Sequence, residues 1–216
     1  MTSRRKFIAQ AAALISAPMI LRGSFPVFAG SNATYSTRAI DLMKQATVVD
    51  MLGLLSLNFP LMGKWASNPE LFTAADFEKY QKSGINVFHI AVGTGGPDAY
   101  QSTYDFVAGW NSFLAGSDQY FMRIDSPSDL DKVKTSGKVG VLIGVQNSEH
   151  FRTPDDVNAF YNMGQRVSQL TYNARNMIGN GSTERRDEGL SDFGVAIVER
   201  MKELGAVFSN HKHGYL

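Results

Sequence analysis

The sequence predicts an α/β fold with a parallel sheet, and three observations lead there. Four times a helix-like segment ends on a glycine and passes at once into an apolar, strand-like run, at Gly84, Gly137, Gly164 and Gly205. The helix starts carry Ser or Thr caps with an acidic residue close behind. Helix separates the strands from one another, and strands joined in that order pair in parallel through crossovers. A doubly wound sheet and a (β/α) barrel both satisfy this grammar. No G-x-G-x-x-G follows the first strand, which counts against a dinucleotide-binding sheet. Five strands are too few to close a barrel, which typically takes about 250 residues.

The N-terminus reads as an address. Ser3-Arg4-Arg5-Lys6-Phe7 is a twin-arginine pattern, and Phe7 to Leu21 is an apolar stretch broken by Gln10, Ser16 and Pro18. That stretch is shorter than the roughly 18 residues of a membrane span. Val27-Phe28-Ala29 offers a small-residue cleavage site, with Ser31-Asn32-Ala33 as a second. Residues 1–29 are therefore expected to be an export signal for the twin-arginine machinery. Export of an already folded chain suits a cofactor loaded in the cytoplasm. Removal of the signal leaves 216 − 29 = 187 residues, 30–216, as one periplasmic domain. If the signal is uncleaved, it becomes a membrane anchor, and it is the single membrane contact expected.

The elements follow in order. Ser36 to Ala46 is a helix carrying Ile40, Leu42 and Met43, and Thr47 to Leu52 is the first strand. Thr73, with Asp76 three residues on, opens a helix that Gly84 closes, and Ile85 to Val92 is the second strand. Val92-Gly93-Thr94-Gly95-Gly96 lacks the Lys and Ser/Thr of a phosphate loop and reads as a turn. Asp98 to Gly116 is a helix whose Phe106, Trp110, Phe113 and Leu114 form a core stripe. Ser126-Pro127, with Asp129 behind, opens the next helix, and Lys138 to Val145 is the third strand. Thr153-Pro154-Asp155-Asp156 opens another, and Arg166 to Thr171 is the fourth strand. The chain then enters a long polar loop punctuated by Gly179, Gly181 and Gly189. Ser191 opens the last helix, and Ala206-Val207-Phe208 begins a fifth strand.

Composition narrows the function classes. A net charge of +1 and the lack of a Lys/Arg run beyond the N-terminus argue against nucleic acid as a partner. With no cysteine, the chain has no disulfide, thiolate nucleophile or cysteine zinc site. A strand that opens into a polar, glycine-rich loop before a helix is where α/β proteins place their chemistry.

That loop, LTYNARNMIGNGSTERRDEGLSDFGVAIVERMKELG from Leu170 to Gly205, resembles the renal (membrane) dipeptidase family of zinc metallopeptidases. So does the layout around it, from an aspartate on strand one to Leu-Thr-x-Asn at the end of strand four, over about Thr47 to Gly205. The resemblance implies a TIM-like (β/α) barrel, incomplete here at about five of eight βα units. It also implies a two-zinc site whose bridging water attacks the peptide bond of a dipeptide, and a chain cut short at its C-terminal end. The family's first strand reads Asp-x-His-x-Asp with His and the second Asp on metal. Here it reads Asp50-Met51-Leu52-Gly53-Leu54. The bridging glutamate corresponds to Gln146. The histidine at the end of the fifth strand corresponds to Lys212, between His211 and His213. The family's strand-four histidine, a substrate contact, is Tyr172.

His89 reads as a core histidine. Glu149-His150 reads as a solvated turn before the Thr153 cap, with a loop metal ligand as the alternative. His211-Lys212-His213 would set two imidazoles on one strand face, a zinc geometry, with a disordered chain end as the alternative. Asp50 would orient backbone or a pocket group. Asp50, Tyr172, Asn173 and Arg175 are the substrate-pocket candidates. Glu184, Arg185, Arg186 and Asp187 are either a solvated loop or partners for a substrate's charged ends. The expectation is a dipeptidase-like metallohydrolase with a degraded metal site, zinc reduced or absent, and weak or no activity. The alternatives are a non-catalytic periplasmic protein that binds a small peptide or amino-acid-like ligand, and a truncated gene product, for which a homo-oligomer is expected.

Overall fold

The computed structural model describes residues 22–24, 34–52 and 54–209. Strands β1 (Arg22–Ser24) and β2 (Thr34–Ser36) pair antiparallel. Helix α1 (Thr37–Gln45) leads to β3 (Val49–Asp50). Helices α2 (Phe59–Ser67) and α3 (Ala74–Ser83) flank a 3₁₀ turn, Pro69–Leu71, and precede β4 (Val87–Val92). Then come α4 (Ala99–Gly116), β5 (Phe121–Arg123), α5 (Pro127–Ser136) and β6 (Val139–Val145). The last elements are α6 (Pro154–Met163), β7 (Gln165–Gln169), α7 (Asp192–Leu204) and β8 (Val207–Ser209). Among the described residues no helix is long and apolar enough to cross a membrane. Most of the expected signal segment lies outside the described residues.

The main sheet is parallel and curls into a half-barrel in the order β3-β4-β6-β7-β8. Residues Gly140–Val145 of β6 pair with β4 along one edge. The other edge is shared, with β5 beside Val139–Val141 and β7 beside Ile143–Val145. This confirms the predicted α/β class and selects the incomplete barrel over the doubly wound sheet.

Local chemistry explains why the elements fall where they do. Thr73/Asp76, Ser126/Asp129 and Thr153/Asp156 form reciprocal capping boxes. Gly84, Gly137, Gly164 and Gly205 each take a left-handed conformation at a helix end. A side chain would be strained there, and glycine is not. The convex face of the sheet buries Phe88, Ile90, Val141 and Ile143 against Phe77, Val107, Phe113, Phe160, Ile197 and Met201 from the helices. The concave face carries a smaller cluster, Val87, Ile124 and Val133, with Val49, Leu130 and Leu142 around it. The α4 stripe divides. Phe113 and Leu114 are buried, while Phe106 and Trp110 are partly buried beside Met62.

Candidate functional site

The C-terminal ends of β3, β4, β6 and β7 open on the same end of the half-barrel, because the strands are parallel. At the end of β3, Asp50 Oδ1 accepts from Leu52 N at 3.2 Å, so this carboxylate orients backbone. Leu52 is exposed and Leu54 partly so. His89, on the concave side of β4, is buried. Its Nδ1 donates to Met51 O at 2.5 Å, and its Nε2 is buried without a hydrogen-bond partner among the described residues. That nitrogen fills the space a side chain at Gly144 would need. Burial pushes its pKa below the usual value, with the Met51 bond opposing.

Gln146 follows β6, and its N–H continues the ladder to Val92 O at 2.8 Å. Its side chain approaches Gly93 across the strand ends. Asn147 donates from Nδ2 to Thr94 O at 2.8 Å and accepts from Asn176 Nδ2 at 3.0 Å. Asn176 also donates to Leu170 O and accepts from the N–H groups of Ile178 and Gly179. Glu149 Oε2 accepts from Gly96 N at 2.6 Å. The loops after β4, β6 and β7 are thus stitched together by Asn147 and Asn176, which carry no motif in the sequence, and by Glu149 of the turn expected to be solvated. For Asn147 and Glu149 the signal was the unbroken polar run Gln146 to His150 directly after an apolar strand.

His150 corrects an expectation. The turn it belongs to is not solvated at this residue, because the ring is fully buried against Phe151 and Phe160. Its Nε2 donates to Gln165 Oε1 at 3.2 Å. Gln165 donates to Ser168 Oγ, Ser168 lies 2.8 Å from Ser148 Oγ, and Ser148 donates to Gln169 O. This buried chain locks the turn that carries Gln146 and Asn147. Burial pushes the imidazole down to about 4, with the Gln165 bond opposing.

The β7–α7 loop is pinned by its own backbone. Tyr172 O accepts from Ser182 N, and Asn173 O accepts from Thr183 N and Thr183 Oγ1. Asn173 Oδ1 accepts from Ser182 Oγ. A side chain at Gly181 would meet Asn173 O at 2.3 Å, so the closure requires glycine. Tyr172, Asn173 and Arg175 are all exposed. Arg175 N donates to Glu184 Oε1, and its guanidinium lies 3.8 Å from Glu188. Exposed pairs of this kind contribute little to stability and leave the charges open to a ligand. A groove of about 490 Å3 runs beside them, lined by Arg175, Met177, Asn180, Glu188, Leu190 and Ser191. Glu184, Arg185, Arg186 and Asp187 are exposed. The structure therefore brings Asp50 and Gln146 to the strand ends and sets Tyr172, Asn173 and Arg175 on the loop. His211 and His213 lie outside the described residues.

Among the described residues no group of three or more His, Cys, Asp or Glu is placed to hold a metal ion. Leu52, Leu54 and Gln146 offer two alkyl groups and a neutral amide, which do not fit a two-zinc centre.

Solved structures share this architecture. An amidohydrolase from Pseudomonas aeruginosa matches with a TM-score of 0.63 and 28% identity over 78% of this chain and 47% of its own. The probable dipeptidase PvdM from the same organism matches at 0.59 and 17%, over 82% of this chain and 49% of its own. A metallopeptidase from Rhodobacter sphaeroides, liganded with a phosphinate mimic of L-Ala-D-Ala, matches at 0.54 and 13%, over 75% and 57%. The chain spans about half the length of these structures. The family model for membrane dipeptidase (peptidase family M19) matches residues 36–209, most of the chain, and the chain belongs to that family.

Proposed function

We propose that this chain is a dipeptidase-like scaffold with a degraded metal site, which binds a small peptide or amino-acid-like ligand and hydrolyses it weakly or not at all. The observation that carries this reading is the donor set at the strand ends. Leu52, Leu54 and Gln146 stand where the resemblance assigns His, Asp and a bridging Glu. Two zinc ions bring four positive charges, which anionic ligands must offset. Gln146 offers no charge, and the leucines offer no lone pairs. Zinc is accordingly reduced or absent, and Gln146 with His211 and His213 could supply at most a residual site. Arg175 and Glu188 suit the carboxylate and ammonium ends of an amino-acid-like ligand. Residues 1–29 export the chain to the periplasm, and residues 30–216 form the domain that works there.

The deciding experiment measures zinc content and dipeptide hydrolysis on the same purified protein. Substoichiometric zinc with negligible turnover is expected. Stoichiometric binuclear zinc with turnover overturns the reading. A non-catalytic binding protein is the second reading. The spent hydrogen bonds of the 172–184 loop favour it, because they hold a fixed surface. A saturable thermal shift with small peptides, without turnover, selects it.

A further inference from the structure

The concave face where β4, β6 and β7 end is built largely from carboxamides. Strand alternation puts Gln146 on the face of Gly144, the glycine against which His89 Nε2 rests. The β6–β7 register pairs Gly144 with Val167 and Val145 with Ser168. Gln146 directly follows Val145 of β6 as Gln169 follows Ser168 on β7, and Asn147 and Asn176 continue the amide lining, bonded to each other at 3.0 Å. The floor beneath is His89, a buried imidazole whose Nε2 lies where a side chain at Gly144 would stand. Glu149, in the same turn as Asn147, is engaged by Gly96 N, and Asp50 at the end of β3 by Leu52 N.

Within this lining the amides differ in what they have left to give. Gln169 Nε2 is bonded to Thr171 O, and Asn147 and Asn176 bond each other and the strand-end carbonyls. The Gln146 carboxamide has no hydrogen-bond partner among the described residues and is half-buried. Its planar end presents a C=O acceptor beside an N–H donor. The matching surface is a second C=O and N–H held side by side, as in a primary carboxamide or a lactam, which closes two hydrogen bonds at once. A carboxylate answers the N–H but sets an oxygen against Oε1, a contact that costs affinity when water is excluded.

Resting on the reading of a metal-poor site, we propose that Gln146 selects an uncharged amide and discriminates against the corresponding carboxylate, without a metal. The ligand class is a carboxamide or lactam derived from an amino acid or short peptide.

Calorimetric titration of the full chain with N-acetylalaninamide and with N-acetylalanine, each in EDTA and then with added zinc, tests this. The amide is expected to bind about tenfold more tightly than the acid, with no change in EDTA. Gln146→Glu should remove that preference, and Gln146→Ala should weaken the amide, while both variants keep the wild-type melting midpoint. Equal binding of the two ligands, no binding of the amide, or a preference that survives Gln146→Glu overturns the proposal. Stoichiometric zinc with dipeptide turnover would instead defeat the reading beneath it. A metal-poor, inactive protein that ignores the amide defeats this inference alone.

Discussion

His150 is a polar residue that the fold keeps fully from water, and its titration is built into stability. In the unfolded chain an imidazole takes up a proton near pH 6.5, whereas in the fold burial holds it down to about 4. The neutral form is the one the fold favours. Its contribution is therefore complete above pH 6.5 and is lost as pH falls toward 4. The shift corresponds to an upper bound of about 3 kcal/mol. Melting curves of wild type and His150→Leu, followed from pH 7 to pH 4, should converge as the wild type loses more stability. Curves that stay parallel would show that this histidine carries no proton linkage. Sequence alone made Glu149-His150 a solvated turn, because two polar residues after a strand usually face water. What it did not show was the partner, Gln165, on a strand fifteen residues away. Gly194 is a second case at this scale. A Cβ there would stand 2.0 Å from Ile178 O, a backbone atom that cannot swing aside. Gly194→Ala should destabilise by roughly 2–3 kcal/mol, measured by denaturant unfolding. A neutral result would mean that the 172–190 loop moves freely against α7.

The helices were legible in sequence because their ends are written in side chains. Asp129 shows how much one such residue does. It accepts from Asp125 N, Ser126 N and Ser126 Oγ and pairs with Lys132. The Lys132 ammonium, then the Ser126 hydroxyl and the backbone N–H groups, hold its carboxyl at about 2, against desolvation. A lowered carboxyl stabilises above its ordinary pKa near 3.8, and that stabilisation fades as pH falls toward 2. Asp129→Ala should cost about 1–2 kcal/mol at neutral pH, and the difference should shrink toward pH 2. A difference that does not change with pH would refute the electrostatic part of the argument. The elements the sequence hid have no such marks. Strand β5 is three residues, too short for a period to register. Helix α2, FPLMGKWAS, carries Pro and Gly inside an apolar run, and its Asn58 cap has no acidic partner behind it. Strand edges moved by a residue or two, as in β3, where pairing stops at Asp50 and the turn begins. The site was legible in the same partial way. Gln146 and the loop after β7 were readable from position, whereas the Asn147–Asn176 stitch joins residues 29 apart and needed the fold.

At the scale of the whole molecule the sheet ends on β3 and β8, each bonded along one edge among the described residues. An unpaired parallel edge exposes backbone donors and acceptors that another strand can satisfy. The side chains around these edges are apolar and in water. Val207 and Phe208 are 56% and 41% exposed, and Met51 and Leu52, just past β3, are 55% and 54% exposed. Two half-barrels related by a two-fold axis along the barrel would set β8 of one copy parallel to β3 of the other, and the reverse, satisfying both edges together. A chain of these residues should therefore self-associate, with a sedimentation coefficient that rises with concentration. Val207→Lys with Phe208→Lys places charge on one edge only, yet it should abolish the association entirely, because each contact in a two-fold pair needs a β8. The association should persist in high salt, since apolar burial drives it. A wild-type chain that sediments as a monomer at all concentrations, with a cooperative melt, would mean that these edges are tolerated in water and that the half-barrel is stable by itself.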